Sequence, residues 1–128
     1  MSIEKITLNK PLLVNGKYLK ELTYDIEELT EELMAEAEAI TAKIRAKKDM
    51  VGTFIIPQID GTYHRNIAKQ AIIAVNPEIS IEDLARIKGR DLSKLAKVGQ
   101  RFFIEQEGQE QAMLDEQQED TQDTTIVP

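Results

Sequence analysis

The stretch that most constrains the fold of this chain is a charged run with one narrow apolar seam. Residues Asp25 to Lys48 read DIEELTEELMAEAEAITAKIRAKK. Ile26, Leu29, Leu33, Ala37, Ile40 and Ile44 recur at steps of three or four. That spacing is the period of one helix face and predicts a helix over 26–48, about six turns long. The interior has no Gly or Pro, and Ala, Glu, Leu, Met and Lys favour a helix. Asp25 is placed to cap the first free amides. Acidic residues fill the first part and Lys43, Arg45, Lys47 and Lys48 fill the end, an order that suits the helix dipole. Such a helix needs something to lie against, either its own core or another protein.

The N-terminal segment 3–24 supplies one candidate. Asn15-Gly16 is a strong hairpin signal, because both central residues of a type I′ turn need positive φ. A two-residue loop sets Val14 opposite Lys17, Leu13 opposite Tyr18, Leu12 opposite Leu19 and Lys10 opposite Glu21. Pro11 has no N–H to give to a ladder, so its strand is an edge or carries a bulge. A lone hairpin is marginal in water and must pack on helices or other chains.

Further helices follow. Thr53 to Gly61 reads either as a short strand or as a loop covering the core, with Asp60-Gly61 turning the chain. Residues 62–76 form a broad apolar face through Tyr63, Ile67, Ala71 and Ala74 beside Ala68, Ile72 and Val75, as expected of the most buried helix. Ser80 and Asp83 resemble a capping box that opens a helix over 81–88, and Gly89 suits its C-terminal turn. Asp91 is positioned to cap a last helix, 91–105, whose inner side holds Leu92, Leu95, Ala96, Gly99, Phe102 and Phe103. Gly inside a helix costs up to about 1 kcal/mol relative to Ala, which implies close packing of Gly99 on a neighbouring backbone.

The expected fold is therefore α+β, mostly α. An N-terminal β-hairpin is followed by a long helix and two to three shorter packed helices, in one folded domain over 1–105. The tail, 106–128, is Gln-, Glu-, Asp- and Thr-rich, holds too few apolar residues to offset its chain entropy and is expected to be disordered. From Glu105 onward there are eight acidic residues and no Lys or Arg. The net charge of −7 thus belongs to the tail, and the rest, with 15 acidic and 16 basic residues, is nearly neutral. That argues against a nucleic-acid binder driven by bulk charge. The absence of Cys excludes disulfides, thiolate metal sites and cysteine nucleophiles. No apolar run approaches the roughly 20 residues that span a bilayer, so a soluble, cytoplasmic protein is expected.

Little in the chain points to catalysis. His64 is the only histidine and reads as a surface or boundary side chain. The glycines at 52, 61, 89 and 99 are isolated, so no phosphate-binding loop is present. No cofactor, metal site or catalytic constellation is expected, and the reading is non-enzymatic. Two surfaces are candidates for partners. One is the seam of the long helix, with Leu33, Met34, Ala37, Ile40 and Ile44, which serves either as core or as a groove for a helical partner. The end from Ile40 to Lys48 is where the helix outreaches the body and a subunit or client contact is expected. The other is a basic stripe, Arg90, Lys94, Lys97 and Arg101, which is either a docking face or a solvated one near the acidic part of the long helix.

The order of elements resembles a known family. The pattern I-T-L-x-K-P-x-x-V-x-G-K-x-x-x-E-L-T spans Ile6 to Thr23. It is followed by Asn76-Pro77, Ile81-Glu82-Asp83-Leu84, Gly89-Arg90-Asp91-Leu92 and a helix ending in Phe102-Phe103. In these patches, across roughly 3–104, the chain is similar to the small tail assembly chaperones of long-tailed bacteriophages and prophages. The long acidic helix and the segment from Thr53 to Gly61 depart from the short family pattern. The resemblance implies a protein of the host bacterial cytoplasm that binds the tape measure protein, keeps it soluble, helps recruit tail tube protein and is absent from the mature virion. It also implies homo-oligomers and, in many members, a longer frameshifted form; it carries over no catalytic residue. Two other classes remain: a structural tail component or adaptor kept in the virion, and a small regulatory or RNA-binding protein resting on the basic stripe alone.

Overall fold

A computed structural model describes residues 3–48 and 55–104 of the chain. The expected disorder of the tail, the last residue of the 91–105 helix and the start of the segment from Thr53 to Gly61 lie outside the described residues. Strands β1 (Glu4–Val14) and β2 (Lys17–Tyr24) form an antiparallel hairpin. A 3-10 turn (Ile26–Glu28) leads to helix α1 (Glu31–Lys47), and a second (Pro57–Ile59) leads to α2 (Gly61–Val75). A single turn, α3 (Ile81–Leu84), precedes α4, which covers 90–104. The architecture is the mostly helical α+β fold that the sequence predicts.

The turn is the one that Asn15-Gly16 demands, with φ of 50° and 80°. The pairs Val14–Lys17, Leu13–Tyr18 and Leu12–Leu19 form as expected. Beyond them the register shifts, and Thr7 rather than Lys10 faces Glu21. Residues 8–11 of β1, with Pro11 among them, lie opposite Lys20 alone, a bulge that Pro favours because it leaves the ladder there. Glu21 instead lies 4.0 Å from Lys5, with both side chains largely exposed. The step from Leu8 to Leu12 is even, so Ile6, Leu8, Leu12 and Val14 all remain buried. On β2 the inward set moves by an odd step, from Leu19 to Leu22 and Tyr24, and Lys20 and Glu21 both stay in solvent.

The predicted 26–48 helix is divided. Asp25 Oδ1 accepts from Glu27 N at 3.0 Å and caps only the 3-10 turn, and Leu29 is extended. Thr30 Oγ1 then accepts from Leu33 N at 3.1 Å and starts α1. The apolar period crosses this break because Ile26 and Leu29 still pack on the core, so periodicity alone could not reveal it. The 81–88 helix is likewise shorter. Its capping box is complete, with Asp83 N bonded to Ser80 Oγ at 3.1 Å and Ser80 N to Asp83 Oδ2 at 3.0 Å, yet it closes after one turn.

The core lies between the inner face of the hairpin and the helices. Ile6, Leu12, Val14 and Leu22 meet Ala68, Ala71 and Ile72 of α2 and Leu95 and Val98 of α4, with Ile79, Leu84 and Ile87 closing one end. At Gly99 the two helices touch backbone to backbone, as its place inside a helix implied. A Cβ there would overlap the carbonyl group of His64.

Candidate partner-binding surfaces

Five seam residues and four basic residues are the sequence candidates, and the fold treats them unequally. Helix α1 packs on α2. Ala37 is fully buried at that contact, and so is Thr41 beside it. Thr41 Oγ1 donates to Ala37 O and accepts from Asn66 Nδ2, both at 2.8 Å. The contact thus has a polar pair at its centre. Leu33, Met34, Ile40 and Ile44 are each half-buried, and no α1 residue belongs to the main core cluster. The seam is therefore a satellite contact whose flanks remain open.

The far end of α1 is tied to the body. Arg45 pairs with the carboxylate of Asp60, which is also the N-cap of α2 and accepts from Tyr63 N at 3.2 Å. Tyr63 OH donates to Glu38 at 3.2 Å. Burial first, and then the Glu38 charge, push the Tyr63 hydroxyl pKa up to about 12, so it stays a donor across the physiological range. Together with Ile55 and Pro57 these residues line a cleft of about 240 Å³ between α1 and the start of α2. The anchoring roles of Arg45 and Tyr63 have no local sequence signal, because their pairs join residues 15 and 25 positions apart.

Of the basic stripe, Lys94 and Arg101 are turned toward the hairpin, not toward the acidic part of α1. Lys94 Nζ reaches the carbonyl of Thr7 and Asn9 Oδ1 and lies 3.5 Å from Asp91 Oδ1. Arg101 meets Glu4 at 3.2 Å and the Tyr24 hydroxyl at 3.1 Å. Arg90 and Lys97 are exposed. The stripe is in half its members an internal clamp, which leaves two charges for an outside partner.

Asp91 has a different task from the one predicted. It sits inside the first turn of α4, is 1% exposed, and accepts from Asn9 N at 2.8 Å and Lys10 N at 3.1 Å. The β1 bulge turns those two amides out of the ladder, and the carboxylate receives them. Burial acts to raise the Asp91 pKa, but the two amides and Lys94 outweigh it and hold it below the usual value. His64 is also buried, contrary to the expected boundary position. Its Nε2 lies 2.7 Å from the Pro57 carbonyl, so that nitrogen carries the proton, and its ring is 5.5 Å from Phe103. Burial lowers its pKa, against the pull of the Pro57 carbonyl. Asp25 Oδ2 is buried without a hydrogen-bond partner among the described residues.

Among the described residues no group of three His, Cys, Asp or Glu side chains is placed to hold a metal ion. No described helix is long and apolar enough to cross a membrane. The class defined by these features is structural: a small α+β domain whose hairpin is clamped to a helical layer, with one helix held at its margin. No family model matches the chain, and neither a curated protein nor a solved structure matches it.

Proposed function

We propose that the chain is a non-enzymatic tail assembly chaperone of a long-tailed phage or prophage. In this reading it binds the tape measure protein in the host cytoplasm, keeps that helical client soluble and helps bring tail tube subunits to it. The observation that carries the proposal is the junction of the two patches that bear the resemblance. Asp91 of the Gly89-Arg90-Asp91-Leu92 patch accepts the amides of Asn9 and Lys10 at the bulge of the hairpin patch, 82 and 81 residues away in sequence. That junction supports the reading, because the two patches meet in one structural unit. Helix α1 adds a suitable surface: half-buried Leu33, Met34, Ile40 and Ile44 lie beside exposed Glu31, Glu32 and Glu36, outside the core cluster. An amphipathic client helix is recognised by such an apolar strip, with the charges keeping the complex in solution.

Co-expression with a helical tape measure segment tests the reading. The segment is expected to stay soluble and to be retained on the tagged chain. A segment that aggregates regardless and is not retained would reject the proposal. Mass spectrometry of purified particles checks the remainder: stoichiometric presence in virions would make the chain a structural component instead.

A further inference from the structure

Two half-buried cations on α2 have no counter-charge among the described residues. Arg65 and Lys69 stand one helical turn apart on the same face. Arg65 donates to Thr62 Oγ1 at 3.3 Å, which turns its guanidinium toward the start of the helix. Neither side chain meets a carboxylate among the described residues. Like charges at this spacing repel. Burial first, and then the Arg65 charge, hold the Lys69 ammonium below its usual pKa. The pair is thus short of both water and counter-charge. Exposed cations such as Arg90 and Lys97 differ, because water solvates them and a carboxylate adds little there.

The chain carries the missing charge itself. From Glu105 onward it holds eight acidic residues and no Lys or Arg. That stretch leaves the body at the end of α2 toward which Arg65 is turned: the Phe103 ring lies 5.7 Å from Tyr63 and 5.5 Å from His64. Four carboxylates cluster at Asp115, Glu116, Glu119 and Asp120. Asp115 stands eleven positions after Ile104, and an extended chain of that length reaches about 36 Å. Helix α2, with 15 residues, is only about 22 Å long, so its whole outer face is within reach. A tethered partner acts at a high effective concentration, which lets individually weak ion pairs hold it.

We propose that the acidic segment from Glu105 to Asp123 docks on the Arg65–Lys69 face of α2 in the same chain, with the carboxylates between Asp115 and Asp120 as its main contacts. The contact supplies counter-charge to the half-buried pair, and salt weakens it by screening. The inference stands on the charges of α2 and of the acidic segment and not on the tail-assembly reading. The two fail separately: one is read in the chain alone, the other with a tape measure segment.

The chain has no Cys, so Gln117→Cys gives a single site for a nitroxide spin label in the full chain. The label is expected to broaden the amide signals of Arg65 and Lys69 at about 0.01 M salt. At about 1 M, where the screening length falls from about 30 Å to about 3 Å, the broadening is expected to drop severalfold. Arg65→Gln plus Lys69→Gln is expected to remove it, with circular dichroism to check the fold. Neutralising the segment by Asp115→Asn, Glu116→Gln, Glu119→Gln and Asp120→Asn, which alters no described residue, is expected to do the same. Arg90→Gln plus Lys97→Gln takes away equal charge elsewhere and is expected to leave the broadening in place. Broadening that is absent at low salt, indifferent to salt, unchanged when either side is neutralised, or lost as fully in the Arg90 and Lys97 variant would overturn the proposal. So would equal broadening in a mixture of spin-labelled chains with unlabelled, isotope-enriched ones, since the segment would then dock on a second copy.

Discussion

Gly99 is, among the described glycines, the one where a Cβ would meet the backbone of another helix. Its lack of a side chain lets α4 lie on the backbone of α2 at His64. The obstacle to a Cβ is backbone, which cannot rotate aside, so relief requires the helices to separate. Gly99→Ala is therefore expected to destabilise the fold by about 3 kcal/mol, despite the better helix propensity of Ala. A urea midpoint equal to that of the unmodified chain would mean that the helices do not approach so closely. His64 beside it gives a pH signature. Its folded pKa lies below the ordinary 6.5, so as pH falls through 6.5 the unfolded chain takes up the proton first. Stability from this residue is present above 6.5, is lost on acidification and levels off below the folded pKa. Comparing urea midpoints at neutral pH and near 5 in the unmodified chain and in His64→Gln should show a smaller acid loss in the variant.

At the scale of elements, α1 differs from the rest. It joins the body through Ala37, Thr41, the Glu38–Tyr63 hydrogen bond and the Arg45–Asp60 pair, and it places no residue in the core cluster. Elements with few buried apolar contacts open below the global free energy. Ile44→Asp is thus expected to speed hydrogen exchange in α1 by about tenfold while leaving amides near Leu22 and Ile72 nearly unchanged. Uniform acceleration across all elements would instead make α1 part of the cooperative core. Under the function proposed above, the same variant is expected to weaken assembly or client binding more than folding, since Ile44 is only half-buried and lies outside the core cluster.

For the whole molecule, the decisive link runs from the hairpin to α4. The Asp91 carboxylate is buried and takes two backbone amides that the β1 bulge has freed. Hydrogen bonds to a charged group contribute about 1.5–3 kcal/mol, and removing the charge leaves buried donors poorly matched. Asp91→Asn is accordingly expected to cost about 2 kcal/mol in urea unfolding at neutral pH. Because the folded pKa of Asp91 lies below its ordinary 3.8, its contribution is full above that value and is lost as pH falls through the folded pKa. The variant should therefore approach the unmodified chain in stability in strong acid. An unchanged difference between the two at all pH values would remove the charge from the explanation.

Local chemistry made much of this fold legible. Asn15-Gly16 specified the turn, Ser80 and Asp83 specified a helix start, and Gly99 implied a close backbone contact; each follows from steric or hydrogen-bonding needs within a few residues. Other features were decided only by tertiary structure. The bulge moved Glu21 from Lys10 to Thr7, Asp91 served β1 in place of its own helix, and Lys94 and Arg101 became clamps on the hairpin. The partners of Asp91, Lys94 and Arg101 lie about 80 to 100 residues away along the chain, and a charge pattern holds no record of which distant amide or carbonyl it will meet. The seam of α1 shows both limits at once. Its period was plain in the sequence, but the break at Thr30 and the half-burial of Leu33, Met34, Ile40 and Ile44 depended on how far the core of the other elements reached.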